Sequence, residues 1–184
     1  MHKTDLSKFN NAWYYPGAGF MVRLLWYMTN TLFFQSRALL PYSWKAAMLV
    51  AFGAKVGKNV VIKPGVNIKY PWKLSIGENS WIGENVWIDC LDRVEIGSNV
   101  CVSQGALLLS GNHDYTQSTF DLMLKPIVLE DGAWVGAKSI VTQGVVMRSH
   151  AVLAAGSLAS GELKANGIYR GNPAVFYKER EFVR

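Results

Sequence analysis

Ile76-Gly77-Glu78-Asn79-Ser80-Trp81-Ile82-Gly83-Glu84-Asn85-Val86-Trp87-Ile88 decides the fold, because it states a six-residue unit twice and begins it a third time. Working outward, the aliphatic first position recurs at Val56, Ile62, Ile68 and Leu74, then at Ile76, Ile82, Ile88 and Val94, then at Ile96, Val102 and Leu108. It resumes at Leu129, Val135, Val141, Met147, Leu153 and Ala159. The fifth position is small or β-branched, as in Val60, Val66, Ser80, Val86, Ala106, Ser139 and Ala151; Trp72 and Asp92 break the rule. A period of six fits neither the roughly 3.6 residues of a helical turn nor its heptad multiple.

A short strand every six residues, bent at regular corners, winds into a triangular coil of about three hexads. The aliphatic first residue points into the prism, and the small fifth fits where the walls meet. Glycine in second place, at Gly57, Gly77, Gly83, Gly97 and Gly136, relieves crowding or permits positive φ beside a corner. Two-residue slips make each early coil twenty residues long, which stacks Ile76 under Ile96 and Ile88 under Leu108. The expected division is an N-terminal arm and helical cap over 1–55, coils over 56–162 with an inserted loop at 109–128, and a tail at 163–184.

Composition agrees with one compact domain bearing a terminal appendage. Half of the 184 residues are hydrophobic, 17% are charged, and seventeen glycines against six prolines suit a turn-rich β structure better than disorder. The net charge of +6 favours an anionic partner such as a nucleotide cofactor, a phosphorylated sugar carrier or an acidic membrane. Basic residues are scattered and not interleaved with aromatics, so nucleic-acid binding is not expected. Cys90 and Cys101 lack zinc-type spacing and read as buried thiols of a reducing compartment. With no signal-peptide layout at the start, the expected location is cytoplasmic.

Residues 1–16 read as an extended arm, and Phe20–Phe34 as a helix too short and too interrupted for a span of ~20 apolar residues. A second helix is expected after Pro41, with Ser43 as N-cap and a stop at Gly53. Such helices would cover the open edge of a coil stack. Phe20, Leu24, Leu25, Trp26, Phe33 and Phe34 also offer a face for peripheral contact with the inner side of the plasma membrane, with few basic residues beside them.

The repeat is interrupted between Leu108 and Leu129, and this interruption contains Gly111-Asn112-His113-Asp114-Tyr115. Regular coils on both sides hold such a loop by its ends. Imidazole, with an ordinary pKa near ~6.5, can act as a base at neutral pH. Of the three histidines, His2 lies in the arm and His150 at an outward corner, which leaves His113 as the candidate. A loop histidine taken alone is more often solvated than catalytic. Asp89 follows Ile88 one coil below Leu108, ~4.8 Å away, so an outward carboxylate there reaches an acceptor or orients His113. Asp114 reads as a turn-maker, and a backbone carbonyl would serve equally well to orient the imidazole.

The repeat resembles the hexapeptide-repeat family over about residues 56–174. Members fold as left-handed parallel β-helices and usually form trimers. The handedness is implied by the resemblance alone, since crossovers in general are right-handed. The expected fold is mainly β: a left-handed parallel β-helix with an α-helical N-terminal segment and a short C-terminal tail. Ser110-Gly111-Asn112-His113-Asp114-Tyr115, Lys125-Pro126-Ile127, Gly132-Ala133-Trp134-Val135-Gly136 and Arg170-Gly171-Asn172-Pro173-Ala174 resemble the maltose and galactoside O-acetyltransferase group, above all its colanic-acid-biosynthesis branch.

That resemblance implies an enzyme that moves acetyl from acetyl-CoA to a sugar hydroxyl in surface polysaccharide biosynthesis. His113 would be its base, and its active sites would lie between the subunits of a homotrimer. Asp89, Asn112, Asp114 and Tyr115 are then placed at the sugar or glycan acceptor, and Trp134, Gly136, Ala137, Ala155 and Gly156 along the coenzyme groove. An N–H near Gly136 or Ser139 is placed at the oxyanion. Two positions depart from the family: Gly161 and Val175 stand where related enzymes often have basic residues, which shifts the expected phosphate contacts to Lys164, Lys178 or Arg180. No metal is expected.

Three other functions compete. A γ-type carbonic anhydrase needs three zinc-binding histidines, and His2, His113 and His150 form no close pair on the repeat. A non-catalytic scaffold has no need of the histidine loop. A transferase of the lipid A type, dependent on acyl-carrier protein, fits the Asn-His-Asp loop and short tail less well.

Overall fold

The computed structural model describes residues 3–37 and 39–183, so the expectation placed on His2 lies outside the described residues. Three parallel walls form a left-handed β-helix of about six turns. The first wall stacks Lys55–Val56, Leu74–Ile76, Val94–Ile96, Ile127–Leu129, Val146–Met147 and Glu162–Leu163. The second stacks Val61–Ile62, Trp81–Ile82, Cys101–Val102, Trp134–Val135, Val152–Leu153 and Gly167–Gly171. The third stacks Asn67–Ile68, Trp87–Asp89, Leu107–Leu109, Ile140–Val141 and Leu158–Ala159.

The first-position residues form columns in register. Val56, Ile76, Ile96, Leu129, Met147 and Leu163 succeed one another in the first wall. Ile68, Ile88, Leu108, Val141 and Ala159 do so in the third. Nearly all are fully buried, and each large aliphatic contributes about 1.5–3 kcal/mol relative to exposure. The fifth-position residues, including Ser80, Ser139 and Ser157, are buried as well.

Positive φ belongs to the fourth position, held by Asn59, Asn79, Asn85, Asn99, Lys138 and His150 or by glycines such as Gly65 and Gly105. Asparagine and glycine tolerate that conformation best. The second-position glycines do different work. None of Gly57, Gly77, Gly83, Gly97 and Gly136 has positive φ; a Cβ on Gly77 would meet the Gly97 carbonyl carbon and Ser98 nitrogen at 2.5 Å. Close approach between coils explains them, not backbone freedom.

Strands continue past residue 162 to Gly171, and Ala174–Glu179 turns back antiparallel along Gly167–Gly171. The tail thus closes one edge of the second wall. At the opposite end, α1 (Phe20–Thr29) leads into a π-type turn at Asn30–Phe34, and α2 spans Tyr42–Ala51. The expected single helix over Phe20–Phe34 therefore widens in its last turn, where Asn30 and Phe34 are buried. Pro41, not Ser43, stands at the α2 N-cap, and Ser43 falls inside the first turn. Proline has no N–H to satisfy at a helix start.

This cap satisfies the backbone of the first coil. Trp26 Nε1 donates to the Ile68 carbonyl at 2.8 Å, the Ile68 N–H donates to Asn30 Oδ1 at 3.3 Å, and Lys45 Nζ donates to the Lys63 carbonyl at 3.1 Å. Burial holds the Lys45 ammonium below its ordinary pKa. Among the described residues, no helix is long and apolar enough to cross a membrane.

Replacing Gly77 by alanine is expected to cost about 1–3 kcal/mol through overpacking. Urea unfolding followed by circular dichroism measures this, and an unchanged midpoint contradicts the close-approach account.

Candidate active site

The inserted loop leaves the edge where the third wall turns toward the first. Its root is fastened by Ser110, whose fully buried hydroxyl donates to the Asp89 carbonyl at 2.5 Å and accepts from the Asp92 N–H at 3.0 Å. Gly111–His113 and Leu122–Leu124 then pair as an antiparallel hairpin, with His113 opposite Leu122. The loop is an ordered ribbon with one fixed register.

His113 is held by the far end of its own loop. Its Nδ1 lies 2.8 Å from the Phe120 carbonyl, and the two rings stack with centroids 4.4 Å apart at 8°. A carbonyl can only accept, so Nδ1 carries the proton and Nε2 keeps the free lone pair. Phe120 reaches this position through a φ of 55°, uncommon for a bulky residue and a mark of functional geometry. Phe9 adds a tilted ring contact at 5.5 Å, and the Asp5 N–H donates to the Ser118 carbonyl at 2.8 Å, so the N-terminal arm lies against the loop.

The remaining expected residues fall into separate groups. Asp114 accepts from the Thr116 N–H at 2.9 Å and its hydroxyl at 2.6 Å, which holds its carboxyl below the ordinary range and makes it a turn residue. Asn112 Oδ1 accepts from the His113 N–H at 2.8 Å, and Tyr115 is 80% exposed. Asp89 is buried and pairs with Lys69 at 3.2 Å. Of the two orienters considered for His113, a carboxylate at Asp89 and a backbone carbonyl, the Phe120 carbonyl makes the contact.

Trp134 stands on the outer face of the second wall, with Nε1 donating to Ser103 Oγ at 2.9 Å. Gly136, Ala137, Ala155 and Gly156 stack along the edge between the second and third walls, where the Gly156 N–H bonds to the Ala137 carbonyl at 2.8 Å. Two expectations need correction here. Ser139 points inward, its hydroxyl on the Ala154 carbonyl at 2.8 Å, and the N–H groups of Gly136 and Ser139 already bond to Leu153 and Gly136 carbonyls at 2.7 and 3.3 Å. Neither is a free oxyanion donor.

Arg180 is also committed elsewhere: its Nη1 donates to the carbonyls of Gly132 and His150, both at 3.2 Å, at the edge between the first and second walls. Lys164 and Lys178 are exposed at that end of the molecule. Arg170, not assigned a role from the sequence, is exposed beside the edge that carries Ala155 and Gly156, and its guanidinium lies 3.6 Å from the Tyr177 ring centroid. The neighbouring Gly171 N–H bonds to Ser157 Oγ at 3.0 Å, which fixes that placement. Among the described residues, no group of three or more His, Cys, Asp or Glu could hold a metal ion.

Six-residue coils on both sides of a histidine hairpin agree with what the comparisons show: the chain belongs to the hexapeptide-repeat acetyltransferases. The family model described as hexapeptide repeat of succinyl-transferase matches residues 73–109 and 126–158, the coils on either side of the loop. More particularly, the chain is similar to the putative colanic acid biosynthesis acetyltransferase WcaF of Escherichia coli K12: 40% identical over 164 residues, covering 89% of this chain and 90% of that protein. Its fold matches the hexapeptide-repeat acetyltransferase VCA0836 of Vibrio cholerae complexed with acetyl coenzyme A, at a TM-score of 0.78 with 20% identity over 88% of each chain. It also matches galactoside acetyltransferase in complex with coenzyme A, at 0.78 and 22% over 88% and 82% of the two chains.

Neutral His113 is expected as the Nδ1–H tautomer. Nitrogen-15 spectra of the imidazole resolve the two forms, and a dominant Nε2–H form would contradict the Phe120 hydrogen bond.

Proposed function

We propose that the chain transfers acetyl from acetyl-CoA to a hydroxyl of a sugar unit bound for a surface polysaccharide, with His113 as general base. One observation carries this reading: the Phe120 carbonyl at 2.8 Å ties up Nδ1 and leaves Nε2 as the acceptor of a proton. The acceptor hydroxyl gives its proton to Nε2 while its oxygen attacks the thioester carbonyl. As the tetrahedral intermediate collapses, the C–S bond breaks and the imidazolium returns the proton to the departing thiolate. Similarity to the putative colanic acid biosynthesis acetyltransferase WcaF supports a glycan acceptor.

The coenzyme is assigned to the edge marked by Trp134, Gly136, Ala137, Ala155 and Gly156, with Arg170 at its phosphates in place of Arg180. Within one chain that edge is a different corner of the prism from the one bearing His113. A homotrimer with active sites between subunits would bring the base of one copy to the groove of the next. The exposed Trp81 and Trp134 on the outer face of the second wall support this assembly, since exposed aromatics of this size mark contact surfaces.

A location at the inner face of the plasma membrane belongs to the same reading. Trp26 and Phe34, two of the six residues expected on this face, are buried in the core, whereas Phe20, Met21, Leu25, Met28 and Leu32 are each more than half exposed. Residues 1–75 carry ten Lys and Arg against one acidic residue, Asp5, whereas 76–184 carry nine against twelve. An apolar face within a positive end of the molecule suits an anionic bilayer.

In His113→Ala, thiol release from acetyl-CoA with a competent glycan acceptor is expected to fall by ~10² or more in kcat with little change in coenzyme affinity. Acceptor-dependent turnover that survives the substitution removes His113 from its role. Arg170→Ala is expected to raise the KM for acetyl-CoA by about tenfold, the loss of one charged phosphate contact, while Arg180→Ala leaves it near the wild-type value. The reverse ranking would return the phosphates to Arg180.

A further inference from the structure

A cleft of about 470 Å³ lies between α1, the π-type turn and the third wall. Arg23 and Tyr27 line it from α1, Gln35 from beyond the turn, and Asn67, Lys69 and Trp87 from the first two coils. Arg23 Nε is shut off from solvent without a hydrogen-bond partner. Among the described residues, no carboxylate pairs with Arg23. Lys69, by contrast, is neutralised by Asp89 at 3.2 Å. The cleft is therefore lined by a guanidinium with no carboxylate partner, whose charge is uncompensated within the chain and whose sealed Nε lacks an acceptor.

The rest of the lining specifies more than charge. Asn67 Oδ1 accepts from Asn30 Nδ2 at 2.8 Å and from Gln35 Nε2 at 3.2 Å. Its own amide N–H groups take no part in these bonds and remain as donors. Trp87 and Tyr27 are 43% and 66% exposed and present flat apolar faces. An aromatic surface with a few fixed polar donors is a recognition site for a ring that is apolar on its face and polar at its rim. A sugar ring has that character.

Position connects the cleft to the chemistry. Asn67 and Trp87 stack beneath Leu107 in the third wall, and the strand Leu107–Leu109 runs into the hairpin that carries His113. With coils ~4.8 Å apart, the cleft lies roughly one to two coil spacings below the root of that hairpin. The edge assigned to the coenzyme is a different one, so coenzyme phosphates do not account for Arg23.

We propose that this cleft is a second glycan subsite, which seats a unit of the acceptor chain bearing a carboxylate or phosphate, with Arg23 as the partner of that anion. The assignment rests on the glycan acetyltransferase reading. It adds that the acceptor is an acidic oligosaccharide held at two places, one unit at His113 and another beside α1.

Isothermal titration of the full chain with tetragalacturonate, its carboxyl-reduced neutral form and glucose 1-phosphate tests this, with coenzyme A binding measured on each sample. The wild type is expected to bind an acidic probe at least ~10-fold more tightly than the neutral one, and the carboxylate and phosphate arms show which acid is preferred. Arg23→Gln is expected to abolish the preference, Arg23→Lys to keep part of it, and Trp87→Ala to weaken charged and neutral glycans alike, all with unchanged coenzyme A binding. Equal binding of charged and neutral probes, a preference that persists in Arg23→Gln, or no glycan binding by a chain that binds coenzyme A overturns the subsite. Failure of the wild-type chain to bind coenzyme A counts against the transferase reading alone, because the glycan titrations report on the cleft independently.

Discussion

Everything in this molecule depends on coils that stack at the spacing of a β-sheet and bond to one another through their backbones. The Gly77 N–H reaches the Ile96 carbonyl at 2.7 Å, and the Gly97 N–H reaches Leu129 at 2.7 Å across the inserted loop. Such contacts admit no side chain where one coil lies on the next, and most of the corners between coil walls place their fourth residue in a left-handed conformation. Glycine in second place and asparagine or glycine in fourth are the two consequences. The aliphatic columns then stabilise a register that the backbone has already restricted.

The loop exploits this rigidity. Thirty-three residues separate Ile96 from its partner Leu129, against twenty for Ile76 and Ile96, yet the coil above resumes in register. The insertion is tolerated because its two ends leave and rejoin one edge, where Ser110 ties them to the coil below. A hairpin on such a base can hold the His113 ring against Phe120 without support from a carboxylate. Orientation of the imidazole is thus a property of the chain's own backbone.

That distinction also explains what could be read from the sequence. The coil was legible because burial repeats at a fixed interval, and His113 because a known loop pattern surrounds it. The same hexad rule puts Ser139 in fifth place and turns its side chain inward, whereas the partner of its N–H, the Gly136 carbonyl, leaves no mark in the residue pattern. The Phe120 carbonyl left no trace, since any residue has a carbonyl and only its φ marks the place. Arg180 shows a different difficulty: a basic residue near a signature turn looks free in the sequence, whereas its Nη1 rests on the carbonyls of Gly132 and His150. Ser43 lost the α2 N-cap to Pro41, whose ring fixes the helical entry two residues earlier.

The distribution of charge follows the same geometry. Basic residues gather in the first coils and the helical cap, the acidic ones lie further along the chain, and the histidine hairpin leaves the stack between these regions. In the proposed reaction an acidic acceptor approaches from the positive end, past Arg23, while the coenzyme lies along another edge toward Arg170. The two substrates then meet at His113 from opposite ends of the prism without sharing cations. Such separation lets acceptor preference change through the cap and the first two coils, while the backbone-built coenzyme groove and the hairpin that holds the base stay as they are.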